Sequence, residues 1–139
     1  MNVLVDTSIW SLALRHRRGG LTSPDHDLIR ALADLVGYGR AQLIGPIRQE
    51  LLSGIREETQ FVRLRDALRL YEETTLVTAD FEEAARMSNE CRRRGITGSP
   101  VDFLLCAVAE HHNWQIFTSD HDFEHYRRIL GLTLFSVPS

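Results

Sequence analysis

The sequence contains no lysine: all 16 of its basic residues are arginine. That absence excludes a Walker A phosphate loop, whose lysine reaches the nucleotide phosphates. It also argues against phosphoryl-acceptor α/β domains, which likewise carry an acid after the first strand but rely on a strand-end lysine. Cysteine is nearly absent. Cys91 and Cys106 form no CxxC pair and fall in helical patterns, so reduced, cytosolic thiols are expected rather than a disulfide framework or a zinc knuckle. No apolar run approaches the ~20 residues of a membrane span. The opening run Met1–Asp6 lacks the basic flank and cleavage site of a signal peptide. A dominant charge is missing too, with 19 acidic residues against 16 basic and a net charge of −3. This excludes a protein that coats nucleic acid by bulk charge, but not an enzyme with a local basic patch around an acidic centre. The string Gly37-Tyr38-Gly39 fails as a dinucleotide loop at Gln42, and it precedes a strand where that fingerprint must follow one.

What remains is an ordinary globular composition, 43% hydrophobic and 25% charged, over 139 residues. That length suits one domain spanning 1–139, with no repeat, linker or low-complexity tract. Short apolar segments alternate with helical patterns. Strands are expected at Asn2–Val5, Gln42–Ile44, Thr75–Val77, Gln115–Thr118 and Thr133–Val137. Helices are expected across Ser8–Leu14, from Ser23 with Leu28, Ile29, Leu32, Leu35 and Val36 as its apolar face, from Pro46 to Ser53, along Phe61, Leu64, Leu68 and Tyr71, from Asp80 to Arg94, and from Ser99 through Val108. Strands joined by helices predict an α/β fold in three layers, α/β/α, around a mostly parallel sheet of about five strands. Ligand sites in such sheets lie beyond the C-terminal strand ends, where the strand order reverses.

Two carboxylates stand at that edge by direct reading. Asp6 ends the first strand, and Asp120 ends the strand Ile116-Phe117-Thr118. Glu50 follows Pro46 by one turn, Asp102 follows Ser99-Pro100 at the start of a helix, and Asp122 is a possible fifth. Helix N-termini in this architecture commonly point to the same edge, so these acids can converge although the chain separates them widely. Convergent carboxylates repel one another in a partly dry cleft. A divalent cation relieves that repulsion, and an all-oxygen donor set suits Mg²⁺ or Mn²⁺ better than zinc. Each acid also has a structural use. Asp102 suits a helix dipole or capping box, Asp120 or Ser119 an N-cap, and Glu50 a solvated helix face. Asp6 has little local work, because an acid directly after a buried strand caps nothing obvious.

The contexts of these acids resemble the PIN-domain family. Val5-Asp6-Thr7-Ser8-Ile9-Trp10 resembles its first motif. Pro46-Ile47-Arg48-Gln49-Glu50-Leu51-Leu52-Ser53-Gly54 resembles the second, and Ser99-Pro100-Val101-Asp102 running into Cys106-Ala107-Val108-Ala109 resembles the third. Phe117-Thr118-Ser119-Asp120-His121-Asp122-Phe123 resembles the fourth. The ordered set covers essentially the whole chain, and its compact length is similar to VapC toxins of toxin–antitoxin pairs. The resemblance implies that Asp6, Glu50, Asp102 and Asp120 hold a metal, Mg²⁺ or Mn²⁺, with Asp122 assisting and Thr7 and Thr118 supporting through their hydroxyls. It implies endonucleolytic hydrolysis of RNA, transfer RNA or ribosomal RNA, by a metal-activated water. It further implies a VapB-like antitoxin partner, a homodimer and a cytoplasmic setting. One departure is that Ser99-Pro100 stands where many members have a looser polar loop.

Other features offer contacts or packing. Arg15, Arg17 and Arg18, in the loop Arg15-His16-Arg17-Arg18-Gly19-Gly20, are candidates for RNA phosphates; a solvated helix end is the alternative. Arg92-Arg93-Arg94-Gly95 reads as a helix C-terminus. Trp10 is expected in a core or interface rather than under a base. His121 and His125 have zinc-like spacing, but Asp122 replaces the glutamate of HExxH and no third ligand is evident. Two rival readings stay open: a PIN nuclease that matures or degrades RNA without being a toxin, and a non-catalytic PIN-like module that binds RNA or protein.

Overall fold

A computed structural model describes residues 1–15 and 19–138. Seven helices and four strands follow one another along them, two helices after each of the first three strands: β1 (Val3–Val5), α1 (Thr7–Leu14), α2 (Ser23–Gly37), β2 (Ala41–Ile44), α3 (Gly45–Leu52), α4 (Glu58–Leu68), β3 (Glu73–Thr74), α5 (Thr78–Arg93), α6 (Pro100–His112), β4 (Gln115–Phe117) and α7 (Asp122–Leu130). The sheet is wholly parallel in the order β3-β2-β1-β4. Its register places Val5 opposite Phe117, so the residues that follow them, Asp6 and Thr118, leave the sheet side by side. The chain steps outward from β1 to β3 and then returns to the other side of β1. The reversal of strand order therefore lies between β1 and β4, where a parallel sheet opens its crevice.

Parallel strands need both faces covered, and β1 shows it: Val3, Leu4 and Val5 are all fully buried. The helices pack in two sets, α1 to α4 against one another and α5 with α6 and α7. These are the outer layers of an α/β/α fold. Helix α6 is buried without a break from Phe103 to Ala109, which accounts for its apolar character on every side. Both cysteines lie in this core as free thiols, and burial pushes the Cys106 thiol well above its ordinary value. Trp10 is fully buried. Its indole N–H donates to the Val5 carbonyl at 3.1 Å and its ring meets Tyr71 with centroids 4.7 Å apart, which is the core role expected from its neighbours.

Several boundaries move from the sequence-based expectation. Thr22, not Ser23, caps α2, and a reciprocal pair with Asp25 closes the box. The third strand lies at Glu73–Thr74, ahead of the expected Thr75–Val77. Glu73 accepts from Arg48 at 2.7 Å and Thr74 donates to Gln42 at 3.0 Å, which locks that register, while Val77 becomes the N-cap of α5. The fifth strand, expected over Thr133–Val137, is reduced to one parallel bridge between Leu134 and Ile116, so the sheet has four strands. The tail makes two bonds around Ile116: Ile116 N–H to the Thr133 carbonyl and Phe135 N–H to the Ile116 carbonyl. The three-residue β4 offers little more edge, and Pro138 has no N–H with which to continue. No helix among the described residues is long and apolar enough to cross a membrane.

Candidate active site

The site is built outward from Asp6. Its backbone N–H bonds to the Phe117 carbonyl at 2.9 Å, extending the β1–β4 ladder by one step, and its side chain turns back over α1 as the N-cap. The residue is 5% exposed. One oxygen takes every contact: Oδ2 accepts from Ser8 Oγ at 2.7 Å, from Thr118 Oγ1 at 2.8 Å and, at 3.4 Å, from the Ser8 N–H. No described residue donates to Oδ1. The expected idle acid after a buried strand thus has a local task, capping α1, and keeps one oxygen in reserve.

Asp120 is tied to the same knot. Its backbone N–H donates to Thr118 Oγ1 at 3.0 Å, and its Oδ1 accepts the Asp122 N–H at 2.9 Å. Ser119 N–H donates to Ser8 Oγ at 3.0 Å. Two hydroxyls, Ser8 and Thr118, therefore weld the end of β1 to the end of β4. Thr118 supports the acids as the sequence suggests; Ser8, which the sequence reading passed over, does at least as much. Its signal was its place two residues after an acid at a strand end, where a hydroxyl can reach both the cap and the next strand.

Asp102 reaches this edge from α6. Ser99 caps that helix by accepting the Asp102 N–H at 3.1 Å, and Asp102 Oδ2 accepts from the Tyr126 hydroxyl at 2.9 Å. Burial pushes the Asp102 carboxyl above its ordinary value. The Tyr126 and Ser99 hydrogen bonds pull it back, and the charges of Asp6 and Asp120 push it up again. Three carboxylates from three elements are thus close enough to repel. Burial, the hydrogen bond to Asp102 and the charges of Asp102, Asp122 and Asp120 raise the Tyr126 phenol far above its usual range, so it stands as a neutral donor. Nothing in the sequence reading singled out Tyr126. Its spacing from Asp122, one helical turn along α7, is the only hint.

Glu50 approaches from α3, where Thr7 Oγ1 donates to its Oε1 at 2.7 Å. Thr7, the residue beside Asp6, thereby ties the second acidic motif to the first. An open cavity of about 480 Å³, lined by Thr7, Pro46, Gln49, Glu50, Ser53 and Val101, joins Glu50 to the start of α6. Asp122 is exposed at the first position of α7 and contributes through its backbone N–H to Asp120.

Of the candidate phosphate contacts, Arg15 is exposed at the C-cap of α1, and Arg17 and Arg18 lie outside the described residues. Arg93 and Arg94 pair with Glu90 within α5, which agrees with a helix terminus. His121, the N-cap of α7, and His125 within it are both exposed, and no group of three metal-ligating side chains includes them among the described residues.

The donor set is all oxygen and carries several negative charges. Among the described residues, no arginine or histidine forms an ion pair with Asp6, Glu50, Asp102, Asp120 or Asp122, although ion pairs satisfy acids elsewhere on the surface. Nor do any three acidic, histidine or cysteine side chains among those residues stand close enough together to form a ready cage. An all-oxygen donor set of this charge suits a hard divalent cation, which would offset the repulsion.

A sequence model of the family described as PIN domain matches residues 3–129. No curated protein matches the sequence significantly. Among solved structures, the chain is similar to VapBC2 from Rickettsia felis bound to a DNA fragment from its promoter, at 17% identity and TM-score 0.75 over 97% of this chain and 98% of that one. It is similar to VapBC-1 from nontypeable Haemophilus influenzae at 15% identity and TM-score 0.72, over 98% of each chain. It is also similar to FitAcB from Neisseria gonorrhoeae at 16% identity and TM-score 0.70, over 96% of each. At these identities the structural likeness establishes the shared fold.

Proposed function

The chain belongs to the PIN-domain family, and from that premise we propose that it is a metal-dependent endoribonuclease, the toxin of a VapBC-type toxin–antitoxin pair, with residues 1–139 acting as one PIN domain. The observation that carries this reading is that the charges of Asp6, after β1, and Asp120, after β4, bear on Asp102 of α6 at the strand-order reversal, with Glu50 of α3 tied in through Thr7 and no cation among the described residues paired to them. Asp6, Asp102, Asp120 and Glu50 would hold Mg²⁺ or Mn²⁺, with Asp122 at the rim. When bound, the ion would supply an activated water and offset charge building on the phosphate.

The chain's own residues perform the positioning. Ser8 and Thr118 hold Asp6 by one oxygen. Thr118 and the Asp122 N–H fix Asp120 at its backbone and its carboxylate. Thr7 orients Glu50 at the border of the open cavity, where a single RNA strand, from transfer or ribosomal RNA, could lie. Hydrolysis of this kind leaves a 5′-phosphate and a 3′-hydroxyl, and the RNA's own 2′-hydroxyl is not the nucleophile. The VapBC likenesses support a VapB-like antitoxin as partner, while the homodimer and the cytoplasmic setting are what the resemblance to VapC toxins implies.

The test is cleavage of a pooled transfer and ribosomal RNA substrate by the purified chain in Mg²⁺, in Mn²⁺ and in EDTA, beside Asp6→Asn. Discrete fragments that vanish with EDTA and with the variant are expected. Folded, antitoxin-free protein that cuts nothing in either metal would leave a binding module instead. Expression in a host, with and without a small gene encoded directly upstream, then separates a toxin from an RNA-processing nuclease. Growth arrest relieved by that gene is expected; cleavage without arrest would favour processing.

A further inference from the structure

Two features outside the acidic motifs meet at Tyr126. The first is its packing. The side chain is fully buried, with ring centroids 5.1 Å from Phe103 at 49° and 5.1 Å from Phe123 at 75°. Rings from α6 and α7 hold the phenol on two sides, so its O–H has one direction, toward Asp102 Oδ2 at 2.9 Å. The second is Gly98, in the loop before α6. A Cβ there would overlap the phenol oxygen, stand 2.8 Å from Tyr126 Cζ and lie 3.1 Å from Phe103 Cε2. Gly98 has no positive φ, so it is space for the tyrosine, and not backbone freedom, that excludes a side chain. The adjacent Ser99 holds the Asp102 N–H. One short loop therefore fixes the aspartate's backbone and leaves room for the group that fixes its carboxylate.

We propose that Tyr126, in the space left by Gly98, is a positioning residue for Asp102: it occupies Oδ2 and leaves Oδ1 as the oxygen offered to a divalent cation beside Asp6 and Asp120. The assignment deepens the nuclease reading and rests on it. A purely structural tyrosine would tie α7 to α6 through its rings alone. Outer hydrogen-bond partners of this kind typically set metal affinity by about 10- to 100-fold. Tyr126→Phe keeps both ring contacts and removes only the hydroxyl.

The experiment is a calorimetric titration of the full chain with Mn²⁺ for wild type, Tyr126→Phe, Gly98→Ala and Asp6→Asn, with a thermal melt of each. Wild type should bind and Asp6→Asn should not. Tyr126→Phe should bind about tenfold more weakly, with a nearly unchanged melting temperature, and its RNA cleavage should recover as Mn²⁺ is raised. Gly98→Ala should shift affinity in the same direction; if it does not fold, Tyr126→Phe decides alone. Wild-type affinity in Tyr126→Phe would overturn the positioning role while leaving the metal site standing. Equal binding by wild type and Asp6→Asn would overturn the metal site, and the positioning role with it.

Discussion

Asp80 and Asp102 occupy the same position in two neighbouring helices. Each is the third residue of its helix, after the N-caps Val77 and Ser99, and α5 and α6 pack directly against each other. Asp80 is almost fully buried and spends both oxygens: Oδ2 accepts the Val77 N–H at 2.9 Å, and Oδ1 meets His111 Nδ1 at 2.5 Å, from the far end of α6. Asp102 has its N–H capped by Ser99, gives Oδ2 to a neutral phenol, and faces two more acids. The same residue at the same helical position is thus complete in one helix and left with unbalanced charge in the other. A buried charge matched by a partner reads as structure; one surrounded by like charge reads as a site awaiting a cation.

The sharpest way to break the comparison is to remove each charge in turn. Asp102→Asn should reduce RNA cleavage at least about a hundredfold, by loss of a metal-holding oxygen. Its melting temperature at neutral pH should not fall. The folded carboxyl titrates above its ordinary value, so the native state binds more protons than the unfolded chain across that window, and stability declines as pH rises from the ordinary carboxylate range through the raised value. Asparagine removes that penalty and can still accept from Tyr126. A clear drop in the melt would make Asp102 structural.

Asp80→Ala should do the reverse. It removes a cap and leaves His111 without its acid, at a cost of about 2–3 kcal/mol, discounted because the His111 side chain is 35% exposed. A denaturant melt reads the loss, and specific activity per folded molecule should stay at the wild-type level. Lost activity in a folded Asp80→Ala would erase the distinction between the two helices.

Smaller changes sharpen the picture. Ser8→Ala should weaken Mn²⁺ binding about tenfold, because Ser8 Oγ holds Asp6 and receives the Ser119 N–H. An unchanged isotherm would assign the hydroxyl to α1 capping alone. The smallest effect is expected from Arg15→Ala, exposed at the C-cap of α1. If it contacts one phosphate, the slope of RNA affinity against salt should fall by about one, and an unaltered slope would remove Arg15 from the interface.

By itself, the sequence determined the layered α/β architecture, because apolar period and turn residues are local signals. It also determined the strand-end positions of Asp6 and Asp120 and the helix-start position of Asp102, for the same reason. Local pattern alone would not separate Asp102 from Asp80, since both are acids in the first turn of a helix; the motif around Asp102 singled it out, and packing showed why Asp80 differs. Nor could the sequence find His111, 31 residues from Asp80, or Tyr126, 24 residues from Asp102, because hydrogen-bond partners across such separations are chosen by packing. The tail around Leu134 has the apolar character of a strand, yet it forms a single bridge because the three-residue β4 offers little edge. Tertiary structure alone decided which carboxylate received a partner and which kept its charge unmatched, because charge balance in a folded protein depends on neighbours in space that no local pattern encodes.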